Sequence, residues 1–174
     1  MEDLAWLDKF TGQTIDEFLA LSNEYCLDSL IMVLGCDLDQ KAHRFGEQSL
    51  SPEERIFLAV EALELEVGNG GYSQFFSNSS SEYVPIIVDS LLRIGCPETA
   101  KVTQNAINVL GVEDLTPQTV EEAVASENDV RDKKLDQYGH KYYATGEEIA
   151  VRLFEFVRVN KDAINPWETP STQS

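Results

Sequence analysis

Almost every stretch of this chain repeats its apolar residues at intervals of three and four, and none alternates apolar with polar long enough to build a sheet. The run "IAVRLFEFVRVN" at 149–160 is the clearest case. Start and stop signals punctuate the repeats. Thr14-Ile-Asp-Glu17 has the capping-box pattern, in which the threonine hydroxyl accepts from the amide of Glu17 and the glutamate reaches back. Ile15, Phe18, Leu19, Tyr25, Cys26, Leu30 and Val33 then predict one helix up to Gly35, followed by a polar connection over 36–50. Ser51-Pro52-Glu53-Glu54 opens a second helix with a serine cap, a proline in the first turn and acids at the positive end of the dipole. Ile56, Leu58, Ala59, Ala62, Leu63 and Val67 give that helix an apolar face. Further helices are predicted at about 82–94, 98–110, 117–126 and 129–143, with Pro85 in a first turn, Gly95 and Gly111 as stops and Thr116-Pro117 as a start. Thr145-Gly-Glu-Glu148 repeats the capping-box pattern before the last run. The expectation is an all-α fold, a single compact domain of about six to eight helices over residues 1–164. A loose tail is expected over 165–174, with Trp167 able to anchor on the core.

A length of 174 residues suits one domain with one sizeable core, and 43 % hydrophobic residues can fill it. No apolar run is long enough to span a bilayer. The opening "MEDLAWLDKF" carries acids where a signal peptide has a basic region followed by an apolar one. Three cysteines, Cys26, Cys36 and Cys96, are an odd number without CxxC spacing and read as reduced thiols. A cytoplasmic protein is expected. The charge excludes most: 31 acids against 13 bases, a net of −18. Nucleic acid and anionic membrane would both repel such a chain, whereas a basic partner would be drawn to it.

The densest stretch is "ELEVGNGGYSQFFSNSSS", Glu64 to Ser81. It lacks the GxGxxG spacing after a strand and the lysine of a phosphate loop. Glu64 and Glu66, two residues apart on a helix, point in different directions. Asn69-Gly70-Gly71 is a strong helix stop, with Gly70 at the left-handed position. Tyr72, Phe75 and Phe76 share one face of a short helix that can bury its rings. Gln74 and Asn78 are expected to bond backbone groups freed at the break, and the serines at 79–81 to cap the next helix. The stretch therefore reads as a helix–break–helix joint pinned by aromatics.

These residues resemble the signature of a bacterial family of small, acidic, all-helical DNA-mimic proteins. The pattern runs Glu-Val, one residue, Asn-Gly-Gly-aromatic, one residue, Gln-aromatic-Phe, one residue, Asn-Ser. Here it falls on Glu66, Val67, Asn69, Gly70, Gly71, Tyr72, Gln74, Phe75, Phe76, Asn78 and Ser79, with "LLRIG" at 91–95. The resemblance implies an all-helical homodimer that occupies the DNA-binding surface of a transcription factor and keeps it off its operator. The signature marks the fold; the mimicry rests on charge.

That charge is unevenly placed. Residues 1–40 hold nine acids and one base, residues 113–140 eight acids and three bases, and residues 67–112 only three acids and two bases. On a continuous first helix, Glu17, Glu24 and Asp28 would lie within about 40° of one another, with Asp16 at the edge. Glu24 and Asp28 would be roughly 6 Å apart along the axis, a spacing close to that of phosphates along a DNA strand. The carboxylates expected to meet the lysines and arginines of a basic DNA-binding protein are Asp16, Glu17, Glu24 and Asp28, then Glu121, Glu122, Glu127 and Asp129. No catalytic residue, cofactor or metal is expected, and no direct binding of nucleic acid. His43 and His140 read as surface residues, Asp37-Leu-Asp39-Gln-Lys41 lacks the glycine of a calcium loop, and Trp6, Phe10, Tyr142 and Tyr143 read as core or dimer contacts. Two alternatives stand beside this reading. One is a small hydrolase-like enzyme using Glu64, Glu66, Gln74 and Asn78 in a pocket at the break. The other is an acidic scaffold or immunity-like protein whose surface meets a basic toxin or enzyme.

Overall fold

The computed structural model describes residues 4–167. Among them are eight α-helices and no strand: α1 Ile15–Ala20, α2 Leu27–Phe45, α3 Pro52–Ser77, α4 Val84–Arg93, α5 Pro97–Val109, α6 Pro117–Ala125, α7 Asp129–Ala144 and α8 Ile149–Val159. The protein is all-α. The chain divides into two compact units, one made of Met1–Leu58 with Ala150–Ser174, the other of Ala59–Ile149.

In the first unit the capping box of α1 forms as its sequence dictates. The amide of Glu17 donates to Thr14 Oγ1 at 3.2 Å, and the amide of Thr14 donates to Glu17 Oε2 at 3.2 Å. The single helix expected from Ile15 to Gly35 does not. The chain leaves α1 through a 3₁₀ turn, Leu21–Asn23, and becomes extended at Cys26 before α2 begins. The cause lies outside the periodic run. Ala5 bridges Tyr25 in a short parallel contact, its amide donating to Glu24 O at 3.1 Å and its carbonyl accepting from the amide of Cys26 at 2.8 Å. The polar connection expected over 36–50 is likewise mostly helix. α2 runs on past a buried Gly35 and stops at Gly46, whose φ of 86° suits only glycine. Its inner face buries Leu30, Val33, Leu34, Leu38 and Ala42.

The serine cap of α3 holds the rest of this unit together. Glu54 is fully buried and accepts from the amide of Ser51 at 2.9 Å, from Lys41 Nζ at 2.8 and 2.7 Å, and from the amide of Asn165 at 2.8 Å. One carboxylate thus ties α2, the start of α3 and the segment after α8. Burying a carboxylate is tolerable only with this degree of pairing. Trp167 packs against Phe10 and Phe18 at ring distances of 4.6 and 5.5 Å and donates its indole N–H to Asp37 Oδ2 at 2.8 Å. Asn165 and Trp167 are therefore anchored; residues 168–174 of the expected loose tail lie outside the described residues.

The second unit follows its punctuation closely. Pro85 sits in the first turn of α4, Pro97 opens α5 and Pro117 opens α6 behind a Thr116 cap. Gly95 and Gly111 carry the positive φ values, 85° and 68°, of helix stops. α5 packs against α4 and α7. The capping box expected at Thr145–Glu148 does not open α8, because Thr145 closes α7 and α8 begins only at Ile149, so Thr145 and Glu148 are not an N-cap and its third helical residue; the intervening Glu147 turns to α5. The Glu147 carboxylate accepts from the amides of Glu98 and Thr99 at 3.1 and 2.8 Å, which caps α5 from a distance of 48 residues in sequence. Ser79–Ser81 do not cap α4; they lie in a 3₁₀ turn, with Ser80 bonded to Phe75 O and Ser81 to Glu121.

Candidate functional site

The joint in α3 is built from the signature residues. Helical geometry fails at two positions, Gly70 (φ −153°, ψ 19°) and Gly71 (φ 72°, ψ −171°). The left-handed position is Gly71 rather than Gly70. Beyond the break Tyr72, Phe75 and Phe76 are completely buried. Tyr72 stacks on Phe76 at 5.9 Å and shares a 2.7 Å hydrogen bond with Thr103 of α5. Burial pushes both Tyr72 and Tyr142 well above the ordinary tyrosine range, and the neighbouring Glu64 charge adds to the effect on Tyr142. Both hydroxyls therefore stay protonated, and Tyr142 donates to Glu64 across the unit.

Gln74 and Asn78, expected to bond backbone groups freed at the break, instead donate their side-chain amides to a third signature residue, Glu66. Glu66 Oε2 accepts from Gln74 Nε2 at 2.6 Å and from Asn78 Nδ2 at 2.9 Å. A carboxylate before the break is thereby latched to two amides after it. Asn69 stays exposed at the bend. Glu64 and Glu66 each hold hydrogen-bond donors, so the pair is arranged to lock the bend.

The carboxylates singled out for charge fall into two groups. Some are committed to the fold. Asp16 pairs with Lys161 at 2.6 Å. Glu17 Oε2 holds the amides of Gln13 and Thr14, and these bonds keep its carboxyl below the usual glutamate range. Glu121 accepts from Ser81 at 3.1 Å and Glu122 from Gln118 at 2.8 Å. Because α1 and α2 are separate, Glu17, Glu24 and Asp28 share no helical face, and the phosphate-like spacing along one axis does not arise. The other group is exposed, and its carboxylates make no hydrogen bond or ion pair with any described residue: Glu24 in the turn before α2 and Asp28 in its first turn, Glu127 just before α7 and Asp129 at its start. Each pair stands on a held turn. The Ala5 bridge fixes the first. For the second, the buried Arg131 donates to the Ala123 carbonyl at the end of α6 and to Asp132 at 2.6 Å. What the sequence left out was the release of Glu24 and Asp28 from the α1 face, which the Ala5 bridge at Tyr25 imposes from outside the run.

Among the described residues no group of three or more His, Cys, Asp or Glu is placed to hold a metal ion, and no helix is long and apolar enough to cross a membrane. His43 and His140 are both exposed.

The helices and the latched break in α3 define an all-α protein. The chain belongs to the DMP19-like protein family, which it matches over residues 48–160. No curated protein matches it. The matched stretch contains the whole joint and the Glu127–Asp129 turn, and leaves out α1, α2 and the Glu24–Asp28 turn.

Proposed function

We propose that the protein is a DNA mimic. Its free carboxylates stand in for phosphates against the lysines and arginines of a basic transcription regulator, which then cannot hold its operator. It acts as a cytoplasmic homodimer and makes or breaks no covalent bond. The observation that carries this reading is the pairing of membership in the DMP19-like family with a net charge of −18 whose exposed members include carboxylates uncommitted to the fold. A cationic DNA-binding surface meets such groups as it meets phosphates, through charge-assisted hydrogen bonds and long-range attraction. Glu24, Asp28, Glu127 and Asp129 are the residues assigned this role, with Asp16, Glu17, Glu121 and Glu122 adding to the field around them.

The test starts with capture of the regulator from its native cytoplasm on immobilised protein and release by salt. The released protein must bind a DNA duplex, and the full chain must displace it. Exposed contacts of this kind are worth a few tenths to about 1 kcal/mol each, so removing four should weaken displacement by roughly tenfold or more. The variant is Glu24→Gln, Asp28→Asn, Glu127→Gln, Asp129→Asn in one chain, with circular dichroism to check its helices. A folded quadruple variant that displaces DNA as well as the parent would overturn the assignment. A gel shift of random duplex by the protein itself would overturn the mimicry.

A further inference from the structure

A cleft of about 920 Å³ opens in the first unit, within the range of roughly 300–1,000 Å³ usual for small-molecule sites. Its floor is one face of α2. Asp37, Gln40, Lys41, Arg44 and Phe45 follow the i, i+3, i+4, i+7, i+8 rule and all line it. One wall is the turn before α1, residues 12–14, where a Cβ on Gly12 would run into the Phe10 ring and the Glu17 carboxylate. The other wall is Pro166 and Trp167. All of these residues lie outside the stretch that matches the family.

The charges in the cleft are unlike those of the chain. The lining holds two cations and one acid, against 13 bases and 31 acids overall. Lys41 is neutralised by Glu54 beneath it, and one oxygen of Asp37 is occupied by the Trp167 indole N–H. Arg44 is different. It is exposed, and its single hydrogen bond among the described residues is a long one, Nη2 to Gln40 Oε1 at 3.4 Å. A guanidinium presents five N–H donors in a fork that matches an anion of carboxylate geometry. Trp167 is held in place by Phe10, Phe18 and Asp37, and Phe45, two-fifths exposed, follows Arg44 on the same helix. A held aromatic beside an uncommitted guanidinium loses little freedom when a ligand arrives.

We propose that this cleft binds a small anion with a flat apolar body, its charge on Arg44 and its body against Trp167 and Phe45. None of the lining residues is among the carboxylates assigned to the regulator.

The experiment uses the full chain labelled with ¹⁵N. Its two tryptophans, Trp6 and Trp167, give two indole N–H signals, which Trp6→Phe assigns. Three probes are titrated: 3-phenylpropionate, its neutral amide, and inorganic phosphate as an anion without a body. The expected result is saturable movement of the Trp167 signal by 3-phenylpropionate, with a Kd of about 1 mM or tighter. The Trp6 signal should stay still, and both other probes should act at least tenfold more weakly. Arg44→Gln should weaken the carboxylate at least tenfold while leaving the rest of the spectrum in place. No movement of Trp167, an equal response to the amide or to phosphate, or a response that survives Arg44→Gln would each overturn the proposal.

Discussion

At Gly71 a single backbone angle decides whether α3 can bend. Its φ of 72° with ψ of −171° falls in a region essentially closed to side chains, yet a Cβ there would meet nothing within 4 Å. Gly71→Ala should therefore lower stability by about 1–3 kcal/mol through strain alone. Gly70 has a negative φ, so no left-handed strain arises there, but its Cβ would strike Gln74, the residue latched to Glu66. Gly70→Ala should be destabilising in the parent and less so once Gln74→Ala has removed the amide end, which leaves only the Cβ of residue 74 at 3.0 Å. Gly71→Ala should cost the same in both backgrounds. Urea melts of the five variants, Gln74→Ala alone among them, distinguish the two glycines, and additive behaviour at Gly70 would refute the clash. The sequence made the break legible, since Asn-Gly-Gly after an apolar face can do little else. The buried rings were legible too, from their spacing. The latch was not, because a glutamate and two amides 8 and 12 residues apart meet only after the chain has bent.

Helices were readable wherever their ends are set by neighbours in sequence. α4 to α7 begin and end within about two residues of the bounds read from the sequence, the ordinary uncertainty of helix ends. They were misread where a distant segment decides. Ala5 splits the first periodic run at Tyr25, and no pattern between 15 and 35 announces a partner twenty residues upstream. The same error hid the cleft, since residues 37–45 line one face only if α2 continues through them. Glu147 shows the reverse case, a residue inside a local cap motif whose carboxylate caps a helix 48 residues away in sequence. Glu147→Ala removes the acceptor for two amides of α5 and should lower stability by about 1–2 kcal/mol, read by denaturant melts, with a loss near zero placing the cap elsewhere. The capping box of α1 gives a pH signature. Backbone hydrogen bonds from Gln13 and Thr14 lower the Glu17 pKa, so its contribution is fully present above the ordinary glutamate value and disappears as pH falls through the lowered one. The amide signals of Gln13 and Thr14 should move together with a midpoint below the usual glutamate range; a midpoint above it would mean the box does not form.

Across the whole molecule, 31 acids and 13 bases set two opposing responses to salt. The free chain repels itself, and its neutral middle between acid-rich segments limits that repulsion without removing it. Raising ionic strength from about 0.01 to 0.1 M shortens the screening length from roughly 30 to 10 Å, which relieves repulsion between exposed carboxylates. The buried Lys41–Glu54 pair is screened far less and should change little. The free protein should therefore melt higher in salt, each 1 kcal/mol of relief adding about 2–4 °C for a chain of this size. The complex with a basic regulator should behave oppositely, because its attraction is what salt screens; contacts that imitate phosphates weaken steeply between about 50 and 200 mM. Association should slow while dissociation changes less, since steering acts on encounter. The measurement is a pair of series over one range of sodium chloride, calorimetry on the free protein and binding kinetics on the complex. An apolar contact would leave affinity flat while the melting temperature still climbed. A chain whose charge is merely solubilising would show the first response and form no salt-sensitive complex. Only opposite slopes in the two series agree with carboxylates that repel one another in the free protein and meet cations in the bound one.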